Sequence, residues 1–173
     1  ILPVGITRLD NSQIASIPSI SELAPLPGIP SLLVDDSATN NSGFFSAVYE
    51  NTNSLDAAGN ASYIIADRGS QSFASWGNDI EQEVGMDAKQ YDLAAKVAAA
   101  VNEQSLKLGA NRPDITFAGH SLGGGLASLQ AYLTGDQAFT FNAAAVTQST
   151  LNRAEVTPEQ YNQGAHLIHE AYD

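Results

Sequence analysis

The 173-residue sequence contains no cysteine and few positively charged residues. Without cysteine the chain forms no disulfide bonds, and its redox compartment stays open on that ground. Seven Lys and Arg residues stand against nineteen Asp and Glu residues, which gives a formal net charge of −12. This excess argues against a nucleic-acid partner and against electrostatic attraction to anionic membranes, whereas a neutral or zwitterionic lipid remains compatible. A contribution to solubility accounts for the acidity.

The sequence also has no apolar run of membrane-spanning length and no signal peptide, although a cleaved signal peptide would leave no trace. It has no phosphate-binding loop, and its three histidines are not spaced as zinc ligands, so we expect neither a metal nor a cofactor. With 43% apolar residues and no internal repeat, residues 1–173 are predicted to form a single domain. Five of the seven prolines lie in residues 1–44, predicted to be an irregular lead-in to a core of residues 45–173.

Predicted strands and helices alternate along the core. This alternation favours an α/β fold with a mostly parallel sheet covered by helices on both faces. A helix is expected to start at Thr157, because Thr-Pro-Glu-Gln places a cap, a first-turn proline and a glutamine in the order of a capping box. Strands are predicted at 46–52, 61–67, 114–117, 138–146 and 165–172, and a long helix at 87–108.

Residues 119–123 read Gly-His-Ser-Leu-Gly and are typical of a nucleophile elbow. A predicted strand precedes them, and leucines at helical spacing follow them as far as Gly135. Such a turn raises a serine hydroxyl out of the sheet and points the next backbone N–H at a developing oxyanion. Ser121 is therefore the candidate nucleophile and Leu122 a candidate oxyanion donor. The alternative is that Ser121 only caps a helix packed closely on a strand through Gly123–Gly125.

A second segment, Tyr-Ile-Ile-Ala-Asp-Arg-Gly-Ser at 63–70, ends a predicted strand in a glycine turn and is followed by a segment containing Trp76. Together with the elbow it resembles the class 3 lipase family of α/β-hydrolases. The resemblance implies a serine hydrolase acting on lipid esters, with Ser70 as the other oxyanion donor. It also implies a lid containing Phe73 and Trp76 that contacts a lipid surface. Core packing is the alternative for Trp76, and an ion pair is the alternative for Arg68.

The fold family places an acid after the nucleophile and a histidine after the acid. Asp173, at the end of the last predicted strand, matches the acid, while Asp136 is interpreted as a turn residue. His120 is expected to point away from the hydroxyl. His166 and His169, placed in the last predicted strand, are poorly positioned as a base.

The base is therefore expected on a missing C-terminal segment or on a second chain, and the sequence is interpreted as a fragment. A non-catalytic domain that binds a lipid or a protein partner is the alternative.

Substrate and compartment remain broader expectations. The resemblance allows triacylglycerol lipase, phospholipase A1 and plain esterase activity, and secretion is favoured. One departure from the family lies after the strand ending at Phe141, where such lipases commonly continue Gly-Ser-Pro-Arg and this chain reads Asn-Ala-Ala-Ala.

Overall fold

The structure is a computed structural model that describes residues 2–17, 43–55, 59–69 and 80–172. Within these residues six strands form a mixed sheet in the order β1-β2-β3-β4-β5-β6. Strands β1, β2 and β3 are antiparallel, and β3 to β6 are parallel. The predicted α/β fold with a mostly parallel sheet is confirmed. The strands are β1 (Ile6–Arg8), β2 (Ser46–Leu55), β3 (Ala61–Asp67), β4 (Ile115–His120), β5 (Gln137–Phe141) and β6 (Ile168–Ala171).

The helices begin and end where local chemistry favours it. Thr157 accepts a hydrogen bond from the Gln160 N–H and forms the predicted capping box. Gly135, as predicted, ends a helix in the left-handed conformation, with φ of 74°. A 3-10 turn, Gly109–Asn111, follows the longest helix. The described helices are α1 (Asn11–Ser16), α2 (Ile80–Leu108), α3 (Leu122–Thr134), α4 (Gln148–Arg153) and α5 (Pro158–Ala165).

Several predicted boundaries were wrong. The long helix starts at Ile80 and not at 87, and the lead-in contains both β1 and α1, whose capping box joins Asp10 and Gln13. Strand β5 ends at Phe141 instead of continuing to 146, because Asn142 takes a φ of 46° that a strand cannot contain.

The last strand is also shorter than predicted. Helix α5 continues to Ala165, and His166 is its C-terminal cap, so the strand begins only at Ile168. His166 and His169 therefore do not share a strand.

The core lies between the sheet and helices α2 and α3. Ile65 of β3 and Phe117 of β4 are fully buried, as are Leu126 and Leu129 of α3. Burial of each such side chain stabilises the fold by about 1.5–3 kcal/mol. All of Leu122–Ala131 is buried, because α3 packs on the sheet with one side and on α2 and α5 with the other. No described helix combines the length and the hydropathy needed to cross a bilayer.

Candidate active site

Ser121 lies at the junction of β4 and α3, with φ of 55° and ψ of −124°. A positive φ in a residue other than glycine costs about 1–3 kcal/mol and persists only where surrounding contacts hold it. Here the Ser121 N–H donates to the Phe141 carbonyl at 3.0 Å. The Ser121 carbonyl accepts from the N–H groups of Gly125 at 3.2 Å and Ala144 at 2.9 Å. Three backbone hydrogen bonds thus hold the strained turn.

The Ser121 side chain does not cap α3. Ser121 occupies the N-cap position, yet its hydroxyl makes no capping hydrogen bond, in contrast to Thr157 at the start of α5. The alternative that Ser121 serves as a helix cap therefore has no support in the geometry. Leu122 is the first residue of α3, and the N–H of a first helical residue has no acceptor within its own helix. One turn thus combines a hydroxyl not used for capping with the positive end of a helix dipole.

Glycines bring three backbones together at this turn. A side-chain carbon placed on Gly119 of β4 would overlap the carbonyl group of Gly123 in α3. A side-chain carbon placed on Gly123 would overlap the carbonyl oxygen of Asp67 at the end of β3. These contacts exclude any larger residue at either position. The first turn of α3 therefore lies directly on the ends of β3 and β4.

The end of β3 also lies beside the hydroxyl-bearing residue. A side-chain carbon on Gly69 would lie 2.7 Å from the His120 carbonyl oxygen and 3.6 Å from the Ser121 Cβ. The Arg68 N–H donates to the Phe45 carbonyl at 2.9 Å, which fixes the backbone just before Gly69. The two sequence motifs, far apart along the chain, are thus adjacent in the fold.

Four of the residues singled out by sequence, Ser70, Phe73, Trp76 and Asp173, lie outside the described residues. Of the predicted site residues, the described part contains Ser121 and Leu122, and it brings Gly69, which precedes Ser70, next to Ser121.

No hydrogen bond in the described part of the chain joins Ser121 to any of the three histidines. His120 is exposed at the end of β4. The His169 ring stacks on Phe139 with the ring centres 4.9 Å apart, and His166 ends α5. The prediction that the base is not among these residues stays open.

Two further residues weighed from the sequence have defined contacts. The Arg68 guanidinium lies over the Phe45 ring, 4.8 Å from its centre, and donates to the Gly43 carbonyl at 3.4 Å. Asp136 forms an ion pair with Arg112 before the start of β5. Since Ser121 lies at the opposite end of the parallel strands, Asp136 is placed as a turn residue and away from the elbow.

Sequence reasoning missed a cluster of buried polar side chains next to the elbow, formed by Ser46, Asp67 and Gln130. Ser46 and Gln130 are fully buried, and Asp67 is 5% exposed. Burial raises the pKa of Asp67 to about 8, although the nearby Ser46 hydroxyl and Gln130 amide lower it in part. Neither contact has the geometry of a complete hydrogen bond, so all three side chains keep polar atoms without a described partner. The sequence does contain a signal for the burial of Asp67. Tyr63, Ile65 and Asp67 occupy every second position and therefore lie on the same face of a strand, which is the buried one.

The opposite face of the sheet carries an open groove of about 640 Å³. Its lining includes Ile64, Ala118 and Phe139, but not Ser121. The groove is therefore separate from the elbow. Among the described residues no three His, Asp or Glu side chains are grouped to hold a metal ion.

Comparisons with known proteins indicate the family of the chain. A family model described as "Phospholipase-like: Tle-like phospholipase domain" matches residues 14–173. The protein named "Extracellular phospholipase A1" from Serratia liquefaciens is 38% identical over 117 residues, which are 68% of this chain and 32% of that relative. The chain thus spans about a third of the length of the curated relative that it matches.

Proposed function

The chain belongs to the family of Tle-like phospholipase domains, and from this premise we propose that it is a serine hydrolase of lipid carboxylic esters, of lipase or phospholipase A1 type. The observation that carries the proposal is Ser121, held in a strained strand-to-helix turn with its hydroxyl not used as a cap. Strained backbone of this kind concentrates at functional sites. The name of the Serratia relative supports a phospholipid substrate and a secreted protein.

The proposed reaction proceeds through an acyl-enzyme. The Ser121 hydroxyl loses its proton to a base and attacks the ester carbonyl carbon, which forms a tetrahedral oxyanion. Collapse of this intermediate expels the alcohol, which takes up the proton, and leaves the acyl group on Ser121. Water then adds in the same way and releases the fatty acid, which restores the serine.

Backbone donors at two sites stabilise the oxyanion in this mechanism. One is the N–H of Leu122, which begins α3 and lacks an acceptor within the helix. The other is assigned to Ser70 by resemblance to class 3 lipases, and the position of Gly69 beside Ser121 supports that assignment. Loss of one such donor typically reduces the rate by about 100-fold or more.

Asp173 is the proposed acid, and the base is proposed to be a histidine on a segment or second chain beyond these residues. The positions of His166 and His169 support this, because the His169 ring stacks on Phe139 and His166 ends α5. By the same resemblance, Phe73 and Trp76 are proposed to form a lid that contacts a lipid surface.

A fluorophosphonate probe tests the proposal, since it labels only an activated serine. The protein as naturally produced and the 173-residue chain alone are each treated with the probe, and the adduct is located by mass spectrometry. Labelling of Ser121 in the natural product, abolished in Ser121→Ala, is the expected result. Labelling of the short chain as well would contradict the external base and point to His166 or His169. No labelling of either folded protein would contradict the serine mechanism and favour a non-catalytic lipid- or protein-binding domain.

A further inference from the structure

Asp67 is a buried carboxyl group that the proposed reaction does not use. It ends β3, and in the register of the sheet it lies between Ser46 of β2 and Gly119 of β4. Its carboxyl group is adjacent to the Ser46 hydroxyl and the Gln130 amide, both uncharged. A buried acid without a cationic partner is costly unless it stays neutral. A neutral carboxylic acid has an O–H to donate, which an amide oxygen or a hydroxyl oxygen accepts.

The same residue contacts the elbow through its backbone. The Asp67 carbonyl oxygen lies against Gly123 in the first turn of α3, and two residues later Gly69 lies against His120 and Ser121. The side chain of Asp67 meets Gln130, farther along the same helix. Asp67 therefore lies against the first turn of α3 through its backbone and near Gln130 through its side chain, two residues before the backbone that lies beside the hydroxyl.

We propose that Asp67 is a positioning residue, whose buried carboxyl group ties the end of β3 to β2 and α3 and thereby holds Gly69 against Ser121. The inference rests on the proposed function of Ser121, because Asp67 itself does not touch the reacting atoms. Displacing the end of β3 moves the backbone that precedes the proposed second oxyanion donor. A displacement of this kind slows the chemical step and leaves ground-state binding of the substrate nearly unchanged.

The test compares Asp67→Ala with Asp67→Asn in the protein as naturally produced. Asparagine keeps a neutral group of the same shape that can donate to Gln130, so it is expected to rescue the alanine variant. With p-nitrophenyl butyrate as the substrate, Asp67→Ala should lower kcat by about tenfold or more with little change in KM, and Asp67→Asn should stay within about threefold of wild type. Gln130→Leu, which keeps the volume and removes the amide, should reproduce the alanine result if Asp67→Ala fails to fold.

A second measurement does not depend on activity. Hydrogen exchange of the backbone amides at 119–125 should quicken in Asp67→Ala and in Gln130→Leu and stay at the wild-type rate in Asp67→Asn. Asp136→Ala is the matched control, because it removes another partly buried acid at the far end of the strands. It should lower stability without changing kcat or exchange at the elbow.

Distinct outcomes would overturn the two proposals. If Asp67→Ala folds with wild-type kcat and wild-type exchange, or if Asp67→Asn is as impaired as Asp67→Ala, the positioning role is wrong. If Ser121→Ala retains activity, the serine mechanism is wrong, while the exchange measurement still tests the tie between Asp67 and the elbow.

Discussion

At the carboxyl end of the parallel strands Ser121 is held in a strained conformation and backbone packs directly on backbone, whereas at the amino end Asp136 pairs with Arg112 and α3 ends in a glycine. The carboxyl end also contains the buried cluster of Ser46, Asp67 and Gln130. Strain and incompletely bonded polar groups reduce stability, so the surrounding contacts must hold the carboxyl end in this arrangement. At the amino end the Arg112–Asp136 ion pair is a stabilising contact, although the second carboxyl oxygen of Asp136 also lacks a described partner.

Paired glycine substitutions are expected to give the largest difference between the two ends. Gly119→Ala places a side-chain carbon on the Gly123 carbonyl group and should cost about 3 kcal/mol or more of unfolding free energy. Gly135→Ala meets no atom within 4 Å and suffers only from its φ of 74°, so it should cost about 1 kcal/mol. Urea unfolding of both variants gives the two values, and equal losses would contradict the proposed difference.

The pH dependence of stability should separate the acids at the two ends. Asp67 keeps its proton in the folded chain up to a pKa of about 8, whereas in the unfolded chain it releases it near 3.8. Between these two pKa values the unfolded state binds fewer protons than the folded state. The contribution of Asp67 to stability is therefore fully present below the pKa of the unfolded chain and is lost as the pH rises through the pKa of the folded chain. The slope from this one group should reach about 1.4 kcal/mol per pH unit.

The free energy of unfolding is measured at several pH values between about 5 and 9, a range that covers most of the interval between the two pKa values. It should fall with rising pH at this slope in the wild type and not in Asp67→Asn. The nearest charged side chain along the chain, Arg68, lies over Phe45, and no charged group among the described residues contributes to the pKa shift of Asp67. Burial also raises the pKa of Asp136, but Arg112 opposes the shift, so Asp136→Asn should remove less of the slope. The reverse ranking would show that the buried cluster is not the main source of the pH dependence.

Removal of the ion pair at the amino end should affect stability alone. Arg112→Ala leaves the Asp136 carboxyl group, 11% exposed, without its cationic partner and should cost about 1–2 kcal/mol. Fluorophosphonate labelling of Ser121 in the natural product should continue at the wild-type rate. A large fall in labelling, with the protein folded, would show that the two ends are coupled.

Removal of an exposed ion pair should give the smallest effect on stability, and it serves as the reference for removal of the Arg112–Asp136 pair. Arg153 and Asp92 are 2.7 Å apart but 40% and 54% exposed, so solvent screens their interaction. Arg153→Ala should change the unfolding free energy by less than about 0.5 kcal/mol in thermal or urea unfolding. A loss as large as that of Arg112→Ala would mean that burial is not what distinguishes the pairs.

The elbow was predictable from sequence because its requirements are local. Glycine at 119 and 123, a strand before Ser121 and leucines at helical spacing after it together predict a tight strand-to-helix turn, and the structure contains that turn. Gly135 and the Thr157 capping box were predictable for the same reason, since each acts within one helical turn.

The features that sequence reasoning missed depend on distant partners. Asp67 looks like the polar end of a strand, and only the packing of β2 and α3 over it makes it a buried acid. The early end of β5 follows from Asn142, whose φ of 46° a strand cannot contain and no local pattern predicts. The apolar residues after it could equally have continued a strand.

The order of the strands in the sheet has a consequence for folding. In the described sheet every strand hydrogen-bonds to the strand that precedes it in the chain, from β1 to β6. Because each strand pairs with its neighbour along the chain, each pairing closes the shortest loop that the order of the strands allows, which keeps the entropy cost of loop closure low. The Ser121 turn needs one further partner from the next strand, the Phe141 carbonyl at the end of β5.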